Sequence, residues 1–272
     1  MKKEFQIASN ERLNLQSDFM GIVLGDEGCV YRSLDSRWME IAEESIRSGL
    51  TVRYLTPIVP DQYVDELYEY INKMTINSNI KVTFNDFGLL SKCRSLIEKK
   101  KITPVLGRIL SRSVCECPWY KELLKYEDPE LAAVLITNTF NHQIKKDILK
   151  EFNIKEIELN QQDLTFFNGA DKEELKFTTY LPNRIVAVGR ICYSARWYEM
   201  VLPDCREDIR CRNKLDIQLN MMWGKKRLLY EKPPENMKNY YKNLYVMGNI
   251  VYEQLSTDDL LDSLKGFDTV IN

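Results

Sequence analysis

Residues 18–49 read DFMGIVLGDEGCVYRSLDSRWMEIAEESIRSG. The first part, DFMGIVLGDE, is a short apolar run ending in glycine and acids, the pattern of a buried strand. From Ser36 to Gly49 the apolar residues Trp38, Ile41, Ala42 and Ile46 fall on one helical face, and Gly49 supplies the stop. The same unit then repeats. LTVRYLTPIV predicts a strand, DQYVDELYEYINKM after Pro60 a helix, and IKVTFNDFG, FGLLSKCRSLIEKK and ITPVLGRIL continue as strand, helix and strand. LAAVLITNT (131–139), FNHQIKKDILKEF and IKEIEL (154–159) extend the alternation. KFTTYLPNRIVAVGRI and KNLYVMGNIVYE (242–253) are richer in strand signals, and DDLLDSLKGF predicts a closing helix before DTVIN. Strand–helix units repeated this often predict an α/β fold with a mainly parallel sheet, curled into a single (β/α) barrel-like domain over residues 1–272. The strand-rich third quarter predicts a distorted or incomplete TIM-type barrel.

A chain of 272 residues buries a sizeable core unaided, so its seven cysteines are not needed as staples. Lysine and arginine total 38 against 40 acids, a balance that argues against a dedicated nucleic-acid binder. The opening MKKEFQIASNERLNL has no apolar core of a signal peptide, and no apolar run approaches the roughly 20 residues of a membrane span. The expectation is a cytoplasmic protein with reduced thiols, where clustered cysteines bind metal or react. With one histidine, His142, there is no His–His zinc site and no H-E-x-x-H helix.

Chemistry in such folds sits at the carboxyl ends of strands. Those ends carry Gly25-Asp26-Glu27-Gly28-Cys29, Thr56, Asn85-Asp86, Gly107-Arg108, Asn138 with Asn141-His142, and Glu158 with Asn160. Asn85 and Asp86 either cap the helix that follows or meet substrate. Arg108 either clamps a carboxylate or phosphate, or pairs with a neighbouring acid. Asn138 joins these three as a candidate pocket residue. His142 stands at a helix start, where a surface role competes with catalysis.

Cysteines supply the sharper signal. Residues 189–213, GRICYSARWYEMVLPDCREDIRCRN, hold Cys192, Cys205 and Cys211, separated by twelve and then five residues. That spacing lacks the close pairs of a zinc finger, and three is an odd number for disulfides. Cys29, on the polar rim, is the candidate fourth ligand. The plain alternative is that these are small buried hydrophobes, as Cys93 on its helix is expected to be. Arg190, two residues before Cys192, either hydrogen-bonds sulfur or forms a salt bridge. LNMMWGKKRLLYEK, rich in Met and Trp, reads equally as partner surface or as core with a basic turn.

The opening LGDEGCVYRSLDSRWMEIAEESIRSGLTVRYLTPI, with VTFNDFGLL, LGRIL, LITNTFNHQIKKDILKEFNIKEIEL and VGRICYS, resembles the UbiV-like group of the collagenase-like (U32) peptidase family over roughly residues 18–254. The resemblance implies a [4Fe–4S] cluster on Cys29, Cys192, Cys205 and Cys211, which suits four soft thiolate donors. The last two cysteines are spaced more widely than in the family, which leaves Cys115 or Cys117 as a replacement for Cys211. It further implies oxygen-independent hydroxylation of a small-molecule or other biosynthetic substrate, by a chain that forms a heterodimer with a paralogous barrel protein. Other readings are a subunit of an RNA-modifying hydroxylase and a cluster-stabilised scaffold. Proteolysis finds little support, because no nucleophile with a base beside it stands out.

Overall fold

The computed structural model describes residues 1–7, 19–76, 78–111, 128, 130, 143–161, 164, 173–200, 205, 209–216, 244–255, 264 and 266–271. In chain order these form β1 (Lys2–Gln6), β2 (Gly21–Gly25), α1 (Val30–Ser33), α2 (Arg37–Arg47), β3 (Thr51–Leu55), α3 (Val64–Met74) and β4 (Ile80–Phe84). Next come α4 (Phe87–Lys92), α5 (Arg94–Glu98), β5 (Ile102–Leu106), α6 (Gln143–Glu151), β6 (Glu156–Leu159) and β7 (Lys176–Tyr180). The remainder are β8 (Asn183–Val188), α7 (Tyr193–Trp197), β9 (Leu215–Asp216), β10 (Leu244–Met247), β11 (Ile250–Gln254) and β12 (Thr269–Ile271).

Eight strands close a barrel in the order β1-β12-β7-β6-β5-β4-β3-β2, and every pair in it is parallel. The expected TIM-like α/β barrel is therefore present, with its strand ring complete. Its helical layer is sparse among the described residues, where helices follow β2, β3 and β4 and one precedes β6. The strand-rich quarter does not distort the ring. It leaves it, as an antiparallel sheet in the order β8-β11-β10-β9, before β12 returns between β7 and β1. The strand expected over 131–139 lies outside the described residues, as does most of the expected closing helix.

Alternation along each strand sorts the side chains. Ile22, Leu24, Val52, Tyr54, Ile80, Val82, Phe84, Ile102, Leu106, Ile157 and Phe177 join one core with Trp38, Leu67, Ile71, Leu89 and Leu90 from the helices. The intervening positions face into the ring, and there the barrel is charged. Arg53 is wholly buried, with Nε 2.6 Å from Glu4, Nη1 3.0 Å from Glu158, and Nη2 on Glu156. Lys81 Nζ lies 2.9 Å from Glu156, Thr83 Oγ1 donates to Glu158 at 2.6 Å, and Tyr180 OH donates to it at 2.8 Å. A small apolar group of Val23, Leu55, Tyr180 and Ile271 fills the level above. Desolvating a guanidinium costs several kcal/mol, which only multiple aligned partners offset.

Candidate metal centre

The antiparallel sheet sits over the carboxyl end of the barrel. Asn160, just past β6, exchanges two hydrogen bonds with the backbone of Ile185 on β8, at 2.9 and 3.0 Å. Arg108, past β5, donates through Nη1 to the carbonyl of Asn183 at 2.9 Å. Its other edge grips Glu27: Nε lies 3.0 Å from Oε2 and Nη2 also bonds the carboxylate. Tyr252 OH donates to Glu27 at 3.0 Å, and the Arg108 guanidinium lies 3.9 Å from the ring centre of Tyr180. Of the two roles open to Arg108, the structure displays pairing with an acid. Burial would push its charge off, but Glu27 outweighs that and raises its affinity for the proton.

Asn85 and Asp86 are also engaged by the chain. Asn85 donates to the Thr56 carbonyl at 2.8 Å and accepts from Ile109 N at 3.1 Å. Gly107 makes room for it, since a Cβ there would stand 2.1 Å from Asn85 Oδ1. Asp86 caps α4, with Oδ1 accepting from Leu89 N at 2.9 Å. Asn138, His142, Cys115 and Cys117 lie outside the described residues.

The thiols gather at the junction of barrel and sheet. Cys29 occupies the N-cap position of α1, at the end of the loop that leaves β2, and Cys192 the N-cap position of α7. What joins these two helices is the β10–β11 hairpin. Met247 pairs with Ile250 across a two-residue turn whose Gly248 has φ +65°, a conformation glycine adopts without cost. Ser194 N donates to the Gly248 carbonyl at 3.1 Å, and Gly248 N donates to Ser194 Oγ at 2.9 Å, which ties α7 to the turn. On the other side the turn abuts the Cys29 loop: a Cβ on Gly248 would come within 3.1 Å of the Gly28 carbonyl. Cys211 lies in the short helical turn Ile209–Arg212 that leads towards β9. Cys205 and Cys211 are buried, whereas Cys29 and Cys192 are half-buried.

Burial foremost, with Cys29, Cys192 and Cys211 adding to it, pushes the Cys205 thiol up to about 11. Cys192 is raised by burial; the N–H of Ala195, 3.3 Å from its sulfur, and the charge of Arg32 oppose this, while Cys29 and Cys211 reinforce it. The influences on these two thiols thus come from both the start and the later part of the chain. Cys93 is buried in the main core, as expected, and takes no part. Arg190 is exposed, and the guanidinium near Cys29 is that of Arg32, whose charge Cys29 and Cys211 favour. Its spacing of three residues from Cys29 on a helical turn was the available signal.

Among the described residues no group of three or more His, Cys, Asp or Glu side chains is placed to hold a metal ion. Closure around one zinc demands four ligands within about 2.3 Å of a point, whereas a four-iron cluster spreads its thiolates over a larger frame. Soft sulfur donors in general suit iron–sulfur chemistry and disfavour hard cations.

No protein-family model and no curated protein matches the chain. Among solved structures it is similar to one described as "The Structure of the U32 Peptidase Mk0906", at 12% identity and a TM-score of 0.40, over 99% of this chain and 91% of that one. A likeness at that distance carries no function across. Among the described residues no helix is long and apolar enough to cross a membrane.

Proposed function

We propose that the chain is an iron–sulfur protein, holding a [4Fe–4S] cluster on Cys29, Cys192, Cys205 and Cys211. In this reading it is the UbiV-like, electron-transferring component of an oxygen-independent hydroxylase, acting on a small-molecule substrate beside a paralogous barrel partner. What supports the reading is the place of Cys29 and Cys192, far apart in sequence, at the N-caps of two helices that the β10–β11 turn ties together. A cluster ligated by four protein thiolates has no open iron, so the chemistry it supplies is electron transfer.

The chain's own contribution is to fix the donors. The β10–β11 turn holds α7 and the Cys29 loop together, and Ala195 N–H steadies the Cys192 sulfur. Asn85, Asp86 and Arg108 serve the scaffold, because a substrate reaching Arg108 would have to displace the buried Glu27 carboxylate. The test is anaerobic reconstitution followed by iron, sulfide and visible-absorption assays. About four irons per chain with broad visible absorption are expected, and both should be lost in Cys192→Ala. Full iron and colour in that variant would remove the claim, and one tightly held zinc in their place would convert the site to a structural one.

A further inference from the structure

Arg32 follows Cys29 by three residues across the single turn of α1, so its side chain shares a face with the thiol. It is largely buried, with 12% of its side chain exposed. Its Nε lies 3.2 Å from Asp26 Oδ2, in ion-pair contact but without the alignment of a hydrogen bond. Its Nη2 reaches the hairpin turn, where a Cβ on Gly248 would come within 3.2 Å of it. Its Nη2 and the Gly28 carbonyl, one residue before Cys29, both border Gly248, and Asp26, Cys29 and Cys211 each favour its charge against the effect of burial. One guanidinium therefore spans the Asp26 carboxylate, the thiol neighbourhood and the turn that positions α7. Lysine has the charge to do this but not the fork.

We propose that Arg32 sets the electron affinity of the group held by the four cysteines, raising its reduction potential, with Asp26 as the opposing charge. The inference rests on the cluster reading above. Reduction adds negative charge among the thiolates, and a buried cation beside them stabilises the more negative state. Coulomb energies are large enough there to matter because the surroundings are partly desolvated. Asp26 pulls the other way, since its carboxylate draws on the same guanidinium. It also accepts from Gly28 N at 2.7 Å, a bond that asparagine preserves.

Wild type, Arg32→Gln, Arg32→Lys and Asp26→Asn are reconstituted anaerobically, assayed for iron and sulfide, and then titrated optically against redox dyes. For Arg32→Gln the reduced-to-oxidised ratio at the wild-type midpoint should fall about tenfold, equivalent to a midpoint lower by ~59 mV for a one-electron couple. Arg32→Lys should fall between that variant and wild type, and Asp26→Asn should shift to a higher midpoint. Loaded Arg32→Gln and Asp26→Asn proteins with wild-type midpoints, or with shifts of the same sign, would overturn the proposal. If Arg32→Gln fails to hold iron, Asp26→Asn decides: a raised midpoint supports the role and an unchanged one overturns it. Wild type without iron sinks the cluster reading, and this inference with it, at the metal assay before any potential is read.

Discussion

The barrel interior and the thiol junction solve opposite problems. Inside the ring, charges of opposite sign meet: Arg53 and Lys81 stand against Glu4, Glu156 and Glu158, and threonine and tyrosine hydroxyls also donate to the Glu156 and Glu158 carboxylates. At the junction, like meets like, and ionisation of any neighbouring thiol makes that of Cys205 harder. A network of opposites is complete within the chain and needs nothing added. A group of soft donors whose ionisation is opposed, with one guanidinium beside it, gains little by folding alone, and becomes favourable when a soft cation arrives. The first arrangement explains the fold, and the second points to a ligand.

The hardest blow to this contrast is Arg53→Met. It leaves Glu4, Glu156 and Glu158 with Lys81 alone against them among the described residues and should cost about 3–5 kcal/mol in denaturant unfolding, with the four candidate cysteines untouched. An unchanged midpoint would mean that the network is not what holds the ring. Next in size is a dependence on pH that splits the network in two. Burial pushes Glu158 up to about 7 despite Arg53. Its contribution is therefore complete below its ordinary 4.5 and disappears as pH rises towards 7. Burial also pushes Glu156 up, but Arg53 and Lys81 together outweigh it and hold the group at about 2, so its contribution is present above 4.5 and is lost as pH falls towards 2. Glu158→Gln should flatten the first window and Glu156→Gln the second, each by about 3 kcal/mol at most. Stability curves of parallel slope for wild type and both variants would show that neither carboxyl is perturbed.

That charged interior also explains what was legible in the sequence. Outward positions such as Val52, Tyr54, Val82 and Phe84 are apolar, and with the helices after them they announce strand–helix units. β1 escaped notice because KKEFQ looks like a polar tail; its Glu4 points inward to Arg53, where apolar residues are normally expected. The antiparallel sheet was visible as strands but not as a separate layer, although Gly248-Asn249 between KNLYVM and IVYE is a recognisable hairpin turn. Of the candidate site, the cysteines stood out in the sequence because thiols are chemically distinctive, and the choice of Cys29, Cys192, Cys205 and Cys211 came with the family resemblance. The pairing of Glu27 with Arg108 and Tyr252 was not, since these partners lie 81 and 225 positions from it along the chain.

Asp86→Ala tests whether the barrel mouth belongs with the structural half of the contrast. Loss of the α4 cap should cost about 1 kcal/mol, leaving iron content as in wild type. A drop in iron without a drop in stability would assign Asp86 to the ligand-binding half instead.

The smallest expected effect on folding is the most telling. Cys29 sits at the N-cap of α1 with extended backbone, φ −153° and ψ 116°, yet its side chain makes no capping bond. Serine is among the residues that favour this position, because its oxygen accepts a backbone N–H that sulfur reaches poorly. Local stability alone would therefore choose serine there. Cys29→Ser should leave the metal-free chain as stable as wild type, or more stable by a few tenths of a kcal/mol, while abolishing iron uptake in reconstitution. A substitution that is neutral for the fold and decisive for the metal would separate the two regions at one atom. If the serine variant instead unfolded with its iron-binding lost, Cys29 would be part of the core, and the junction would have to be read as packing.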